Sequence, residues 1–285
     1  MASEPESLSS LSQTALGMAR VRAGESRRPD RLFDDPYAAA FVAAARDALP
    51  EAPAVSGGRA ELGAVFAFHG VIRTRFFDDY LLGATAAGCR QVVLLAAGLD
   101  TRAFRLAWPG GVRLFELDLP QVLEFKERVL AARQAVPRCE RVVLTVDLRQ
   151  DWPAALSRSG FRPTEPAAWL AEGLLIYLSA DEAASLLTAV GELSAPASRL
   201  AFEHSAIAQS PLLARARSTP AMDRFTKLWK GGLGAEGPGW LARHGWRVQL
   251  HERAALAARY GRSLPASSAG GFVTASREQV TPLGS

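Results

Sequence analysis

The chain has 285 residues, of which 48% are hydrophobic and 22% are charged. This composition excludes a disordered chain, and the length suits a single α/β domain. Basic residues exceed acidic ones by only 33 to 29 and are scattered along the sequence, which argues against a nucleic-acid-binding surface.

Signals for membrane insertion, export and metal binding are missing from the sequence. The longest apolar runs, such as VVLLAA and GLLIYL, are far shorter than the roughly 20 residues of a membrane span. The polar N-terminus predicts no secretory signal. Cys89 and Cys139 lack the spacing of a zinc site or a disulfide framework. We therefore expect a cytoplasmic protein with no metal and no membrane partner.

The first 90 residues have a helical pattern. The segment DDPYAAAFVAAARDAL predicts a helix with Asp35 as its N-cap and Pro36 at its first position. In the segment 60–88, apolar residues such as Ile72 and Phe76 recur at helical spacing. This predicts a second, longer helix that ends near Gly83 or Gly88.

Strands and helices alternate between residues 91 and 204. Five strands are predicted, in the segments QVVLLAAG, VRLFELD, RVVLTVD, AAWLAEGLLIYL and SRLAFEH. Pro120 opens one of the intervening helices, and Ser179 with Glu182 forms a capping box at the start of another. The alternation predicts a doubly wound, mostly parallel α/β sheet with helices on both faces.

Residues 205–240 interrupt this alternation and predict an insertion or lid with its own helices. The final strands are expected in GWRVQLHE and GGFVTASRE, around the helix RAALAARYG. We expect one domain over 1–285. It would comprise an N-terminal helical cap (1–90), a binding core (91–204), the lid (205–240) and the C-terminal strands of the core (241–280).

Four of the predicted strands carry an acidic residue in or just beyond their carboxyl ends, and these residues are Asp100, Asp118, Asp147 and Glu172. Ligands of open parallel sheets bind outside the carboxyl ends of the strands. Asp118 lies 20 residues after Gly98, the spacing at which an acidic residue accepts hydrogen bonds from a ribose diol. The turn AAGLDT contains neither GxGxxG nor a P-loop. This pattern favours a nucleoside without a diphosphate.

Five motifs in order carry a family resemblance: RTRFFDDYL (73–81), QVVLLAAGLDTRAFRL (91–106), FELDLPQVLEFK (115–126), VDLRQDWPAAL (146–156) and AWLAEGLLIYL (168–178). They resemble the leucine carboxyl methyltransferase-like family of S-adenosylmethionine-dependent methyltransferases, and within it the bacterial branch related to polyketide O-methyltransferases. The resemblance covers roughly residues 15–275. It implies the class I, Rossmann-like methyltransferase fold with a seven-stranded sheet, preceded by N-terminal helices.

The resemblance implies roles for residues at the methionine end of the cofactor. Arg73 would pair with the methionine carboxylate, unless it forms a salt bridge with Asp78 or Asp79. Ala96, Gly98 and Asp100 belong to the turn under the methionine moiety. Many family members have GxG where this chain has Ala96-Ala97-Gly98, which adds a methyl group where the cofactor approaches.

Further roles follow along the cofactor. Asp118 with Leu119 would bind the ribose. Asp147 with the Leu148 backbone would contact the adenine, unless Asp147 only caps the following turn. Glu172 would lie near the amino group and the acceptor entrance, unless it only pairs with an arginine. Arg22 is a loose match to a basic residue of the family.

The resemblance implies transfer of a methyl group from S-adenosyl-L-methionine, leaving S-adenosyl-L-homocysteine, to a carboxylate or hydroxyl of a small molecule such as a secondary metabolite. A carboxylate acceptor needs no base, whereas a hydroxyl benefits from one. Candidate catalytic residues are Glu172, His204 and Tyr177. His69 is a weaker candidate because it lies on an apolar helix face, where a core histidine is the more common outcome.

Three questions stay open at this level. Phe225, Trp229 and Trp240 could line an acceptor pocket or simply pack the lid. The oligomeric state is not encoded in any motif. A nucleoside-binding protein without catalysis is the alternative function, while a nicotinamide-dependent reductase is disfavoured because the turn after the first predicted strand lacks GxGxxG and the chain lacks YxxxK.

Overall fold

A seven-stranded sheet forms the centre of the molecule in the computed structural model, which describes residues 10–45, 58–204, 228–263 and 270–278. The strands are β1 (Gln91–Leu95), β2 (Arg113–Asp118), β3 (Glu140–Thr145), β4 (Ala167–Ala171), β5 (Arg199–His204), β6 (Trp246–Glu252) and β7 (Gly271–Arg277). Their order across the sheet is β3-β2-β1-β4-β5-β7-β6.

The sheet reverses its winding direction between β1 and β4. Strands β1 to β5 pair in parallel, whereas β7 is antiparallel to both β5 and β6. The central strands β1 and β4 are buried at every residue, as expected for short apolar runs covered on both faces. The chain winds outward from β1 through β2 to β3 and then returns to place β4 on the other side, which creates a switch point at the β1–β4 pair.

Nine α-helices accompany these strands in the described part of the chain. They are α1 (Ser10–Ser26), α2 (Ala38–Ala44), α3 (Gly58–Ala86), α4 (Arg102–Arg105), α5 (Pro120–Ala132), α6 (Trp152–Arg158), α7 (Ala180–Glu192), α8 (Gly237–Arg243) and α9 (Arg253–Arg259). Short 3₁₀ turns occur at Leu175–Tyr177 and Gly234–Glu236. None of these helices combines the length and the apolar character that crossing a bilayer requires.

The two faces of the sheet carry separate hydrophobic cores. One core joins the sheet to α1, α3 and α5 through buried residues such as Ile72 and Phe125. The other joins it to α6, α7 and α8 through residues such as Leu156 and Leu187. Alternate residues of each strand point to opposite faces, so Val92 belongs to the first core and Val93 to the second.

Local signals in the sequence fix several helix starts. Pro120 begins α5, where its missing N–H costs no hydrogen bond. Ser179 Oγ accepts from the backbone N–H of Glu182, and the Glu182 carboxylate accepts from the Ser179 N–H. The predicted capping box is therefore confirmed.

Two predicted elements differ from the structure, and a third lies mostly outside the described residues. The helix predicted to start at Asp35 and Pro36 is α2, and it begins only after Tyr37. The Asp35 carboxylate accepts from the N–H groups of Tyr37 and Ala38 across the turn that precedes it. The fourth strand ends at Ala171 rather than continuing through residue 178. Gly173 adopts a positive φ of 65°, which turns the chain into the Leu175–Tyr177 3₁₀ helix. The predicted lid (205–240) lies mostly outside the described residues, which resume at 228.

Candidate functional site

A cavity of about 890 Å³ lies at the carboxyl edge of the parallel strands. The turns after β1, β2, β3 and β4 all contribute to its wall, and α1 and α3 close it from the side of the N-terminal helices. Ligand pockets of proteins span about 300–1,000 Å³. The cavity therefore lies at the switch point of the sheet and has room for a nucleoside and a second small molecule.

The turn after β1 and the end of β2 are joined by a carboxylate. Asp118 Oδ2 accepts a hydrogen bond of 2.6 Å from the Gly98 N–H, and its Oδ1 accepts one of 2.7 Å from the Leu119 N–H. Burial raises the pKa of Asp118, although these two donors oppose the rise. The carboxylate is thus fixed in orientation beside the turn, with its remaining lone pairs facing the cavity it lines.

The turn itself has an unusual backbone. Ala96 and Gly98 adopt positive φ angles of 55° and 52°, a conformation that glycine adopts freely and alanine only at a cost. A Cβ placed on Gly98 would lie 3.7 Å from the Ala15 Cβ of α1. The N-terminal helix therefore covers the turn closely.

Arg22 fastens this helix to the turn. Its Nε donates to the Asp35 carboxylate at 2.7 Å, and its Nη2 donates to the Leu99 carbonyl at 2.6 Å. Burial opposes ionisation of Asp35, but the charges of Arg22 and Arg105 outweigh it and hold the pKa of Asp35 below its usual value. Arg22 lines the cavity and also anchors α1.

Arg73 lies between two carboxylates at the far end of the cavity. Its Nε is 2.8 Å from Glu172, and its Nη1 is 2.5 Å from Glu203. The Glu203 carboxylate also accepts from the Gly173 N–H. The guanidinium is held in one orientation by these contacts.

A buried arginine connects this end of the cavity to the interior. Arg102 donates to Asp78 and to Glu172, each at 2.7 Å, and pairs with Asp100. Arg105 forms two hydrogen bonds with the same Asp78 carboxylate. The network explains why the motifs RTRFFDDYL and GLDTRAFRL both contain opposite charges, since they neutralise each other across the fold.

Two carboxylates of this network, Asp100 and Glu172, are ionised at neutral pH. Burial alone would raise the pKa of Asp100, but the charges of Arg102 and Lys126 outweigh it and lower the pKa. Burial acts on Glu172 in the same way, and the charges of Arg102 and Arg73 lower the pKa of its carboxyl. The cavity end is therefore strongly polar and composed of paired charges.

Asp147 lies at the opposite end of the cavity, after β3. Its carboxylate accepts from the Arg149 backbone N–H at 2.9 Å and pairs with the Arg149 guanidinium at 2.5 Å. The hydrogen bond from the Arg149 side chain lowers the pKa of Asp147. Asp147 thus caps its turn, as the alternative interpretation held, and lines the cavity as well.

These residues fit the cofactor that the sequence resemblance implies. Four kinds of group occur in order around one cavity. A guanidinium suits a carboxylate, acids suit an amino group, a fixed carboxylate suits a diol, and a second carboxylate suits an exocyclic amine. Arg73, Glu172, Asp118 and Asp147 would hold S-adenosylmethionine in these roles.

All nine sequence-predicted cofactor residues line this cavity: Arg73, Ala96, Gly98, Asp100, Asp118, Leu119, Asp147, Leu148 and Glu172. Tyr177, His69 and Trp229 also line it. Asp78 and Asp79, the alternative partners proposed for Arg73, instead pair with Arg102, Arg105 and Arg75.

His204 is not among the described residues that line the cavity. It follows Glu203 on β5, and successive strand residues point to opposite faces. Because Glu203 reaches Arg73 from one face of the sheet, His204 lies on the opposite face. Trp240 packs on His244 with ring centroids 3.7 Å apart and does not contribute to the wall. Phe225 lies outside the described residues.

Glu203 and Arg253 are among the polar residues of the cavity that were missed in the sequence. Glu203 satisfies the same rule that selected the other acids, because it lies at the carboxyl end of β5. Arg253 follows β6, which is antiparallel to its neighbour. The rule that ligands bind at the carboxyl ends of parallel strands therefore does not apply to it.

The sequence model of the leucine carboxyl methyltransferase family matches residues 15–191. A relative from Parafrankia sp. (strain EAN1pec) is 54% identical over 268 residues, covering 93% of this chain and 86% of the relative. A relative from Streptomyces coelicolor is 46% identical over 253 residues, covering 88% of each protein. Both carry the provisional name of S-adenosyl-L-methionine-dependent methyltransferase.

Solved structures show the same architecture. A provisionally named methyltransferase from Thermobifida fusca YX superposes with a TM-score of 0.55 at 19% identity, covering 92% of this chain and 94% of that chain. A DUF574 family protein from Streptomyces avermitilis MA-4680 gives a TM-score of 0.55 at 15% identity, covering 93% and 97%. These likenesses confirm the predicted fold class.

Proposed function

This chain belongs to the leucine carboxyl methyltransferase family and is an S-adenosyl-L-methionine-dependent methyltransferase, and on that premise we propose that it methylates an oxygen atom of a small apolar molecule. The observation that carries the proposal is that the residues suited to the cofactor and an apolar compartment share one cavity.

In this proposal, each residue in the cofactor-binding part of the cavity has its own role. Bound S-adenosylmethionine supplies an electrophilic methyl group on a positively charged sulfur. Arg73 uses Nε and Nη1 for Glu172 and Glu203, which leaves Nη2 for the methionine carboxylate. Glu172 receives the amino group while it also keeps Arg73 in place. Asp118 accepts from the ribose hydroxyls and Asp147 from the adenine amine.

The remaining wall is suited to an apolar acceptor. Val21, Phe66, Ile176, Phe202 and Leu233 line the same cavity and give it apolar surface. Methyl transfer is an in-line displacement for which an enzyme chiefly supplies alignment and exclusion of water. An apolar wall beside a polar cofactor site provides both.

The N-terminal helices act as a cap over this site in the proposal. Met18 and Val21 of α1 contribute to the wall, and Arg22 ties the same helix to Leu99 in the turn after β1. The acceptor would therefore be enclosed between α1, α3 and the residues around Trp229.

The test uses S-adenosylmethionine with a trideuterated methyl group and a panel of apolar phenols, alcohols, carboxylic acids, amines and thiols. We expect the label on oxygen only, and alkaline hydrolysis then separates esters, which are cleaved, from ethers, which are not. Asp118→Ala should weaken S-adenosylhomocysteine binding by about 1–3 kcal/mol, because the donors of the ribose lose their acceptor.

Asp181→Ala is the matched control, since Asp181 is an exposed acid in the first turn of α7. It should leave both transfer and binding unchanged. Label found on nitrogen or sulfur would contradict the proposal. Unchanged affinity for S-adenosylhomocysteine in a correctly folded Asp118→Ala variant would contradict the proposal that Asp118 binds the ribose.

A further inference from the structure

His69 is a polar group on the cavity wall that the cofactor roles leave unexplained. It lies on α3, one helical turn before Arg73, and its ring lines the cavity. Residues four apart on a helix are neighbours on one face, with Cβ atoms about 5–6 Å apart. The imidazole therefore lies next to the residue that would hold the methionine end of the cofactor.

The imidazole has no hydrogen-bond partner among the described residues at its buried nitrogen. Nε2 is shielded from solvent and unbonded, and leaving such a group unsatisfied costs about 1–3 kcal/mol. Burial, together with the charge of Arg253, lowers the pKa of His69 to about 4. The ring is consequently neutral at pH 7, with one nitrogen that donates and one that accepts.

Part of the cavity wall is apolar. Met18, Val21, Phe66, Gly70 and Phe202 line the same compartment. A molecule that reaches His69 would thus bury a hydrocarbon or aromatic body and present a single polar group to the ring.

The charged groups of the network that includes Arg73 already face partners of opposite sign. Its four guanidinium groups, on Arg73, Arg102, Arg105 and Arg253, face the carboxylates of Asp78, Asp100, Glu172 and Glu203. An acceptor carboxylate would have to compete with these acids for the cations, at a large desolvation cost. A hydroxyl brings no charge and can donate to or accept from a neutral imidazole.

We propose that His69 binds the hydroxyl group of an apolar alcohol or phenol and takes its proton during methyl transfer, a role that rests on the proposed O-methyltransferase function. The acceptor oxygen forms a bond to the methyl carbon while the sulfur–methyl bond breaks, and its electrons remain on the neutral thioether sulfur. The hydroxyl proton passes to the imidazole. The positive charge lost from sulfur passes to His69, which then releases the proton to water because its pKa lies well below 7.

The test compares three probes with one apolar body: 4-phenylphenol, biphenyl-4-carboxylate and biphenyl. Each is titrated into protein saturated with S-adenosylhomocysteine, and affinity is measured by calorimetry while ring resonances of labelled histidine are followed by NMR. The chain has four histidines, and the His69 signal is assigned by its loss in His69→Gln. We expect 4-phenylphenol to shift this signal and to bind at least 10-fold more tightly than either other probe.

Two variants separate a role in binding the hydroxyl from one in packing. His69→Phe should abolish the preference for 4-phenylphenol while leaving the affinities for biphenyl and S-adenosylhomocysteine within about 2-fold. His244→Gln, on the exposed end of α8, is the matched control and should change nothing.

Three outcomes would overturn the role of His69. These are a preference for the carboxylate probe, a silent His69 signal with 4-phenylphenol, and a phenol preference that survives in His69→Phe. Absence of 4-phenylphenol binding to the saturated protein also counts against it. Failure of S-adenosylhomocysteine to bind, which is measured first, would instead contradict the proposed function itself.

Discussion

The Arg73 guanidinium and the Glu203 carboxylate lie 2.5 Å apart although 130 residues separate them in the sequence. This contact joins α3 of the N-terminal helices to the last parallel strand of the sheet. Glu172 completes the pair from the loop after β4, 2.8 Å from Arg73 Nε. The methionine end of the proposed cofactor site is thus assembled from three distant segments.

Arg73→Lys should weaken S-adenosylhomocysteine binding about 10- to 100-fold. A lysine keeps the positive charge but has no fork of N–H donors, so it cannot serve two acids and a ligand carboxylate together. Calorimetric titration measures the effect. Arg75→Lys is the matched control, because Arg75 pairs with Asp79 on the partly exposed side of α3. Equal affinity in both variants would refute the carboxylate role of Arg73.

Arg102→Met should lower the free energy of unfolding by about 3–5 kcal/mol. The substitution removes a fully buried cation and leaves Asp78, Asp100 and Glu172 without it, and an uncompensated buried charge is costly. Arg162→Met removes an exposed pair with Glu165 and should cost less than about 1 kcal/mol. Urea denaturation distinguishes the two, and similar losses would show that the network is not stabilising.

Ala96→Gly should stabilise the protein by up to about 1 kcal/mol, because it relieves a non-glycine residue held at a φ of 55°. Ala97→Gly is the control one residue further along. Ala97 is not in the positive-φ region, so this change should destabilise by about 0.5–1 kcal/mol through added chain entropy. Thermal unfolding of both variants checks the opposite signs, and a loss of stability in Ala96→Gly would contradict the interpretation.

The protein should lose stability as the pH falls below about 4. The pKa values of Asp35, Asp100 and Glu172 lie below their ordinary values in the folded state. Their contribution is therefore complete above the ordinary values of 3.8 and 4.5 and disappears as the pH falls through the folded ones.

Asp35→Asn provides the check on this pH dependence. It should reduce stability at pH 7 and flatten the acid slope of the unfolding free energy, whereas Asp181→Asn should leave that slope unchanged. Urea unfolding at several pH values between 7 and 3 measures both. A variant slope equal to that of the unaltered protein would show that Asp35 does not contribute.

The strands and the acids that follow them could be predicted from sequence because both depend on local patterns. Short apolar runs predicted β1 and β4. The spacing from Gly98 to Asp118 predicted that the turn after β1 and the end of β2 lie together. The ion pairs of Arg73 could not be predicted in this way. They depend on which distant elements the sheet order brings together, and Glu203 becomes a neighbour of α3 only once β5 lies beside β4.

Strand register explains the remaining difference. Glu203 and His204 are adjacent in the sequence, and a one-residue offset decides which of them lies on the Arg73 side of the sheet. The sequence pattern predicts where β5 ends, but it does not predict which of these two residues lies on the Arg73 side. Gly173 is similar, since its positive φ ends β4 within a segment whose apolar residues continue after Glu172 and Gly173 and therefore favour a longer strand.

The central claim is most directly tested by calorimetric titration of the full chain with S-adenosylmethionine, S-adenosylhomocysteine and NAD. We expect saturable binding of both sulfur nucleosides at one site per chain and no binding of NAD. Binding of NAD, or of neither sulfur nucleoside to a folded protein, would contradict the assignment of the cavity.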